Sequence, residues 1–379
     1  MTNRTGSLIA RERLARGWSQ EGLCRGICAV SYLSKIESGR AEASEEILSM
    51  LLSRLGIQWS SELEAEAESI CERAYEALFT ACYDSLCEII SASDREKYRC
   101  CAAGLAIALL EQFAEGGRVP LPTEYERFLD SRALALQRIL QGRCEEAIAL
   151  MPIAYTYFEA GAEAYSKGEY ISAMELLYRA YNMAAEDGSA KLMLLAKLFL
   201  SACCANRRDL VGMEKHNRAA RRLAEALGDS ESLEQMAYNS AATAIECGKY
   251  EEAYAYFSNL GKHETMSLHK LAICCEMTGR RQEALEALDK AETTECRYPP
   301  PELAKDMCSL VRYRLENKDY LQREIYGEKL LAVFDRCRRE LSAGYAWFHL
   351  PWVLEWHKAG RQYKKVCELL EEFPEKLSL

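Results

Sequence analysis

One short phrase recurs along the chain and leaves few folds open to it. A turn residue is followed by a spacer, a residue that is often aromatic, and an alanine-rich helical stretch. The phrase begins at Gly142 (GRCEEA), Gly168 (GEYISA), Arg208 (RDLVGM), Gly248 (GKYEEA) and Gly279 (GRRQEA), with weaker echoes at Lys318 (KDYLQR) and Gly360 (GRQYKK). Successive turns lie 26, 40, 40, 31, 39 and 42 residues apart, about 36 on average. Small residues keep a fixed frame around them, as in Ala135/Ala147/Ala154, Gly161/Ala173/Ala180 and Ala272/Ala284/Ala291. Ala241/Ala253/Leu260 keeps the frame too, and Ser201/Met213/Ala220 fits it more loosely. Such a period describes two antiparallel helices per unit. Each unit can bury its apolar face only against the next, so the units must stack.

Bulk properties agree with a soluble globular protein. The 379 residues are 49% hydrophobic and 28% charged, and the longest apolar stretch, Leu192 to Ala205, is interrupted by Lys197. That is short of a membrane span. The N-terminal MTNRTGSLIARERLARG lacks an apolar leader, so the expected location is the cytoplasm, with no membrane partner. Seventeen cysteines, an odd number, include no C-x-x-C pair. The adjacent pairs Cys100-Cys101, Cys203-Cys204 and Cys274-Cys275 point different ways on a helix, so small residues in tight helix packing is the expected role. The five histidines lack metal spacing, and no phosphate-loop, nucleophile-elbow, zinc-protease or dinucleotide motif occurs. No enzyme activity, metal or cofactor is expected. The net charge of −10 divides unevenly: residues 1–57 hold eight Arg or Lys against six Glu, leaving −12 for the rest. A small DNA-facing module on an acidic body fits that asymmetry.

From Leu8 to Ile57 the apolar spacing is helical and the turns are short. Ser19 and Ser44 stand where N-caps are needed, Gly39 and Gly56 where helices stop. Five short helices are expected, two of them joined by a tight turn near Ile27-Cys28-Ala29, which is the layout of a helix-turn-helix. The string from Trp18 to Arg40, WSQEGLCRGICAVSYLSKIESGR, resembles the Cro/lambda-repressor-like (XRE) helix-turn-helix. Its GICxVSYLSKIE form, with a shortened turn, is most similar to the peptide-pheromone-responsive RRNPP regulators of Gram-positive bacteria, the PlcR/Rgg-like branch among them.

That resemblance implies roles for individual residues. Gln20 falls where the family touches the DNA backbone. Val30, Ser31, Tyr32 and Lys35 fall on the groove-facing positions of the recognition helix, and Arg40 on a phosphate-contacting one. Ser and Lys reach base edges or phosphates, and Val30 can meet a thymine methyl. Arg13 and Glu37 match a buried ion pair between the first and third helices. Leu23, Ile27, Leu33 and Ile36 read as core.

The later repeats resemble the tetratricopeptide repeat, so the expected fold is all-α: a five-helix head followed by a right-handed superhelix of helix pairs. Three segments are expected: the head at 1–57, a linker helix with a divergent first repeat at 58–119, and a repeat sensor and dimerisation region at 120–379. Within the second segment, one helix is expected from the acidic run at Ser60 through Ile90 and another from Asp94 to Glu115. In the repeat frame, first helices line a concave face suited to an extended peptide. Tyr155, Phe158, Tyr165, Asn206, Gln235, Tyr238, Asn239 and Glu246 are the candidates there, followed by His269 and Met277. Asparagine can pair with a peptide backbone as both donor and acceptor. The expected function is a transcription regulator that binds palindromic double-stranded DNA as a homodimer, gated by a signalling peptide. The alternative is a DNA-anchored scaffold regulated by a protein partner.

Overall fold

The computed structural model describes residues 4–98, 100–207, 209–261, 263–296, 298–341 and 343–372, and among them every regular element is a helix. The head comprises α1 (Arg4–Ala15), α2 (Gln20–Cys24), α3 (Val30–Glu37) and α4 (Glu45–Arg54). Leu8, Ile9, Leu23, Leu33, Ile36, Leu51 and Leu52 close its core at 1% exposure or less. The Ser19 hydroxyl accepts from the Gly22 amide and the Ser44 hydroxyl from the Ile47 amide, so both helices begin where a short polar side chain satisfies an orphan N–H. Arg54 reaches across to donate to the carbonyls of Leu23 and Arg25 at 2.9 and 2.5 Å, which ties α4 to the end of α2. Four helices, not five, precede residue 57. The fifth is α5 (Ser61–Phe79), a long element that starts beyond Trp59 on a Ser60 cap.

The helix expected from Ser60 through Ile90 is broken. It forms α5 and then α6 (Tyr83–Ser91), and the two pack on each other. At the break, the amides of Ala81 and Cys82 donate to the carbonyls of Leu78 and Ala77 at 2.9 and 2.8 Å. These two hydrogen bonds close the helix C-terminus in the usual left-handed way, but here Ala81, buried and at φ 59°, occupies the position that glycine normally takes. The stretch Asp94–Glu115 divides likewise, into α7 (Arg95–Tyr98) and α8 (Gly104–Ala114). Between them, the Ala102 amide donates to the carboxylate of Glu64 at 2.8 Å. The same carboxylate accepts from the Trp59 indole at 3.2 Å.

After a 3-10 turn at Thr123–Phe128, the chain folds as successive helix pairs. They are α9 (Ser131–Leu140) with α10 (Cys144–Leu150), α11 (Ala154–Ser166) with α12 (Tyr170–Glu186), and α13 (Ala190–Asn206) with α14 (Leu210–Leu227). Then come α15 (Ser230–Glu246) with α16 (Tyr250–Ser258), α17 (Thr265–Met277) with α18 (Arg281–Thr293), α19 (Pro301–Glu316) with α20 (Glu324–Glu340), and α21 (Ala343–Ala359) with α22 (Tyr363–Glu372). Gly142, Gly168, Gly248, Gly279, Lys318 and Gly360 each fall in the connection inside one pair. Arg208, the remaining turn position, lies outside the described residues. The framed small residues are buried: Ala135, Ala147, Ala173, Ala180, Ala220, Ala253, Ala272 and Ala284 are all 0% exposed.

The chain forms two compact units, one running from the N-terminus through Glu163 with Glu175–Ala196, the other containing Ala164–Met174 with the chain from Lys197 onward. In the second, Arg314 on α19 donates from Nε to Glu276 on α17 at 2.8 Å and lies 4.1 Å from the Trp352 ring centroid on α21. Gly327 on α20 lets α21 approach so closely that a Cβ there would land within the indole of Trp356. Gly327→Ala should therefore destabilise the second unit by about 1–3 kcal/mol, the usual cost of overpacking. A melting transition that does not move on thermal denaturation would show that the crossing is looser than this.

Candidate nucleic-acid interface and ligand cavity

The head holds its third helix by an ion pair. Arg13 donates from Nε to Glu37 Oε1 at 2.6 Å and from Nη2 to Oε2 at 2.8 Å, while its Nη1 reaches the Trp18 carbonyl at 2.7 Å. The two side chains are only 10% and 7% exposed. One guanidinium thereby joins α1, the turn before α2 and the C-terminal end of α3, using the planar fork that a carboxylate fits. Gln20 belongs to the same cluster: its amide donates to Glu37 Oε2 at 2.7 Å.

Outside this clamp, α3 presents Val30, Ser31, Ser34 and Lys35 to solvent, and Arg40 is exposed just beyond the helix. Ser31 and Lys35 are one turn apart and share a face. Neither Lys35 nor Arg40 forms an ion pair with a described residue, so their charges remain available to a polyanion. Tyr32 is placed differently from the groove-facing position read from the sequence. Its ring packs against the head's core and its hydroxyl donates to the Glu42 carbonyl at 2.8 Å. Of the residues read as DNA contacts, Gln20 and Tyr32 thus have structural partners, and Val30, Ser31, Lys35 and Arg40 form the open surface.

The second unit contains an open cavity of about 230 Å³. Tyr165 of α11, Asn206 of α13, Tyr238, Asn239 and Glu246 of α15, and His269 of α17 border it. These are first helices of successive pairs. The amide of Asn206 donates to the Tyr165 hydroxyl at 3.2 Å and to the Ala202 carbonyl at 3.0 Å. Gln235, placed by the sequence on the same face, stands behind Asn239 and donates to its Oδ1 at 2.9 Å.

Tyr155 and Phe158 do not belong to this cavity. Both are buried in the first unit, where the Tyr155 hydroxyl donates to Glu159 at 2.9 Å and its ring lies 5.7 Å from that of Phe79. An aromatic at a first-helix position served packing there, because the rings of Phe79 on α5 and Phe113 on α8 lie against Tyr155. Met277 is 52% exposed at the end of α17 and does not border the cavity.

Sequence reasoning missed Lys270, Tyr345, Phe348 and His349, which complete the wall. The last three stand on α21, in the aromatic run YAWFHLPW, whose repeat frame had decayed. That density of aromatics beside a histidine was the available signal. Lys270 donates to the Tyr238 hydroxyl at 3.0 Å, and its ammonium lies 5.1 and 5.7 Å from the ring centroids of Tyr238 and Phe348. His349 Nδ1 lies 2.8 Å from the Tyr345 carbonyl. Burial, helped by the cations Arg314 and Lys270, holds the His349 pKa down at about 4. Burial likewise depresses His269 well below the ordinary range, with Lys270, His349 and Arg314 adding to it. Burial pushes the Tyr165 phenol up to about 12. At neutral pH the wall therefore offers two neutral imidazoles and the protonated phenols of Tyr165 and Tyr345, beside Asn206, Asn217, Asn239, Lys270 and Glu246. It is a surface built to hold hydrogen-bonding groups.

Residues 9–60 match the helix-turn-helix family model, so the head is a helix-turn-helix domain. No curated protein matches the chain. Among solved structures, that of Bacillus thuringiensis PlcR in complex with the peptide PapR7 and DNA is similar at 16% sequence identity. That match covers 62% of this chain and 99% of that one, with a TM-score of 0.29. No helix among the described residues is long and apolar enough to cross a membrane, and no cluster of potential metal ligands occurs among them.

Two outcomes follow from this geometry. Arg13→Ala leaves Glu37 buried without its cation, which should cost the head on the order of 3–5 kcal/mol, whereas Lys35→Ala should leave its melting unchanged. Equal melting of the two variants in calorimetry would mean that the clamp does not hold α3. The second concerns acid. An unfolded histidine takes up its proton near pH 6.5, but folded His349 resists until about 4. Its contribution is therefore intact above pH 6.5 and lost as pH falls toward 4, by up to about 1.4 kcal/mol for each pH unit. His349→Phe should flatten the stability profile between pH 6.5 and 5, and an unaltered slope would remove His349 as its source.

Proposed function

We propose that this chain is a transcription regulator resembling the RRNPP group. It binds palindromic double-stranded DNA as a homodimer and responds to a short signalling peptide held in the cavity. The observation that carries the reading is the combination in one chain of two features. An exposed recognition helix is fixed by a buried ion pair, and a separate unit holds an open cavity lined by Asn206 and Asn239 among others. The first suits sequence reading, since a rigid helix can place Ser31 and Lys35 against base edges without further ordering. The second suits a peptide, whose backbone presents alternating donors and acceptors to asparagine.

One helix-turn-helix reads a half-site, so two chains bind two half-sites a helical turn or a multiple apart. The repeats supply the contact between the chains. A peptide that binds one arrangement of the repeats more tightly than another shifts the population of DNA-competent dimers by that difference in affinity.

The test begins with selection of bound duplexes from a random pool by the full chain. A palindromic motif bound by two chains per duplex is expected. On the selected duplex, Lys35→Ala and Ser31→Ala should each weaken binding by about 1–3 kcal/mol, the worth of a good base contact, in gel-shift titration. Recovery of no motif, or both variants within twofold of the unaltered chain, would overturn the reading.

A further inference from the structure

The cavity wall keeps several polar groups that the fold itself does not satisfy. Lys270 is 8% exposed, yet its ammonium pairs with no carboxylate among the described residues and has the Tyr238 hydroxyl as its hydrogen-bond partner. An ammonium away from water without an anion is costly, and aromatic faces offset only part of that cost. Next to it in sequence, His269 is 1% exposed, and neither of its ring nitrogens meets a partner in full hydrogen-bond geometry, the Met307 backbone offering only a weak one. His349, also 1% exposed, has an unpartnered Nε2. Its Nδ1 faces the Tyr345 carbonyl and must donate, so in the neutral ring Nε2 is a bare acceptor. The three groups thus ask for different things: Lys270 for an anion, His349 for an N–H or O–H, and His269 for either.

The terminal residue of a peptide supplies all of these within one residue's length, since its carboxylate is an anion and its amide is a donor. The acid of the cavity stands apart from this cluster. Glu246 is eight residues beyond Tyr238 on α15, roughly 12 Å along the helix axis. An extended peptide covers that length in about three to four residues. Building on the peptide reading above, we propose that the ligand binds with its free C-terminal carboxylate at Lys270 and His269. Its last amide N–H points to His349 Nε2, and the rest of its chain runs past Asn239 toward Glu246. The site thereby selects for a free carboxyl terminus.

The test uses two random pools of peptides four to eight residues long, lacking Asp and Glu, one with free C-termini and one C-terminally amidated. Each is incubated with the full chain at pH 7.5, and retained peptides are identified by mass spectrometry after gel filtration. The free-acid pool should be retained at least tenfold better than the amidated pool. Lys270→Met should abolish that preference, and Lys270→Arg should keep it, which separates charge from folding. Equal retention of both pools, or full retention of free acids by a folded Lys270→Met chain, overturns the anchor while leaving peptide binding standing. Retention of neither pool overturns the peptide reading itself, and the anchor with it.

Discussion

The approach of one helix to the next across small buried side chains sets the geometry on which the repeats depend. Ala135, Ala147 and Ala173, with Ala253, Ala272 and Ala284 later in the chain, offer only a methyl group where helices cross. Larger residues there would push the axes apart and open voids elsewhere, which a close-packed interior does not tolerate. The cysteines extend the same device. Cys274 and Cys275 are buried on α17, and burial raises their thiol pKa values to about 12 and about 11, as it raises Cys308 and Cys337 to about 12. A thiol that stays protonated behaves as a small apolar group. These four buried cysteines therefore serve as small packing residues. Once crossings are fixed, the first helices of successive pairs bring Asn206, Asn239 and His269 to one wall.

The head solves a different problem with different means. Its helices are short, α2 having five residues, and short helices are marginal by themselves. Serine caps start them, and a single guanidinium spends its donors on three points of the framework. The cluster takes charged and polar residues out of play at the rear of α3. What is left at the front is an exposed set that makes no commitments inside the chain.

Much of this was legible in the sequence, and the failures have definite physical reasons. The pairs of helices were readable because glycine turns and buried alanines recur in register. The clamp was readable because Arg13 and Glu37 come with a long, specific motif. The break at Ala81 was hidden, since a helix stop that uses alanine in the left-handed region carries no glycine to announce it. Tyr155 and Tyr165 looked alike in sequence, and only packing separates a core phenol from one that borders a cavity. The contribution of α21 was lost because a frame defined by small residues says nothing where tryptophan and phenylalanine replace them. Pro351, set inside that helix, weakened the pattern further.

The carboxylate of Glu64 bears on how this protein can be taken apart. It stands on α5, 8% exposed and held at a raised pKa by burial, with the Trp59 indole and the Ala102 amide as its partners. The head's core continues into the same place, since Trp59 and Ala102 pack against it. Severing the chain near residue 60 would thus leave an apolar seam uncovered on the head and strip Glu64 on the remainder of its indole donor. The smallest portable form of the head is therefore larger than its sequence motif, and carries α5 through α8 and the Thr123–Phe128 turn that packs against α1. A chimera joined after that turn would transplant the head with its own foundation.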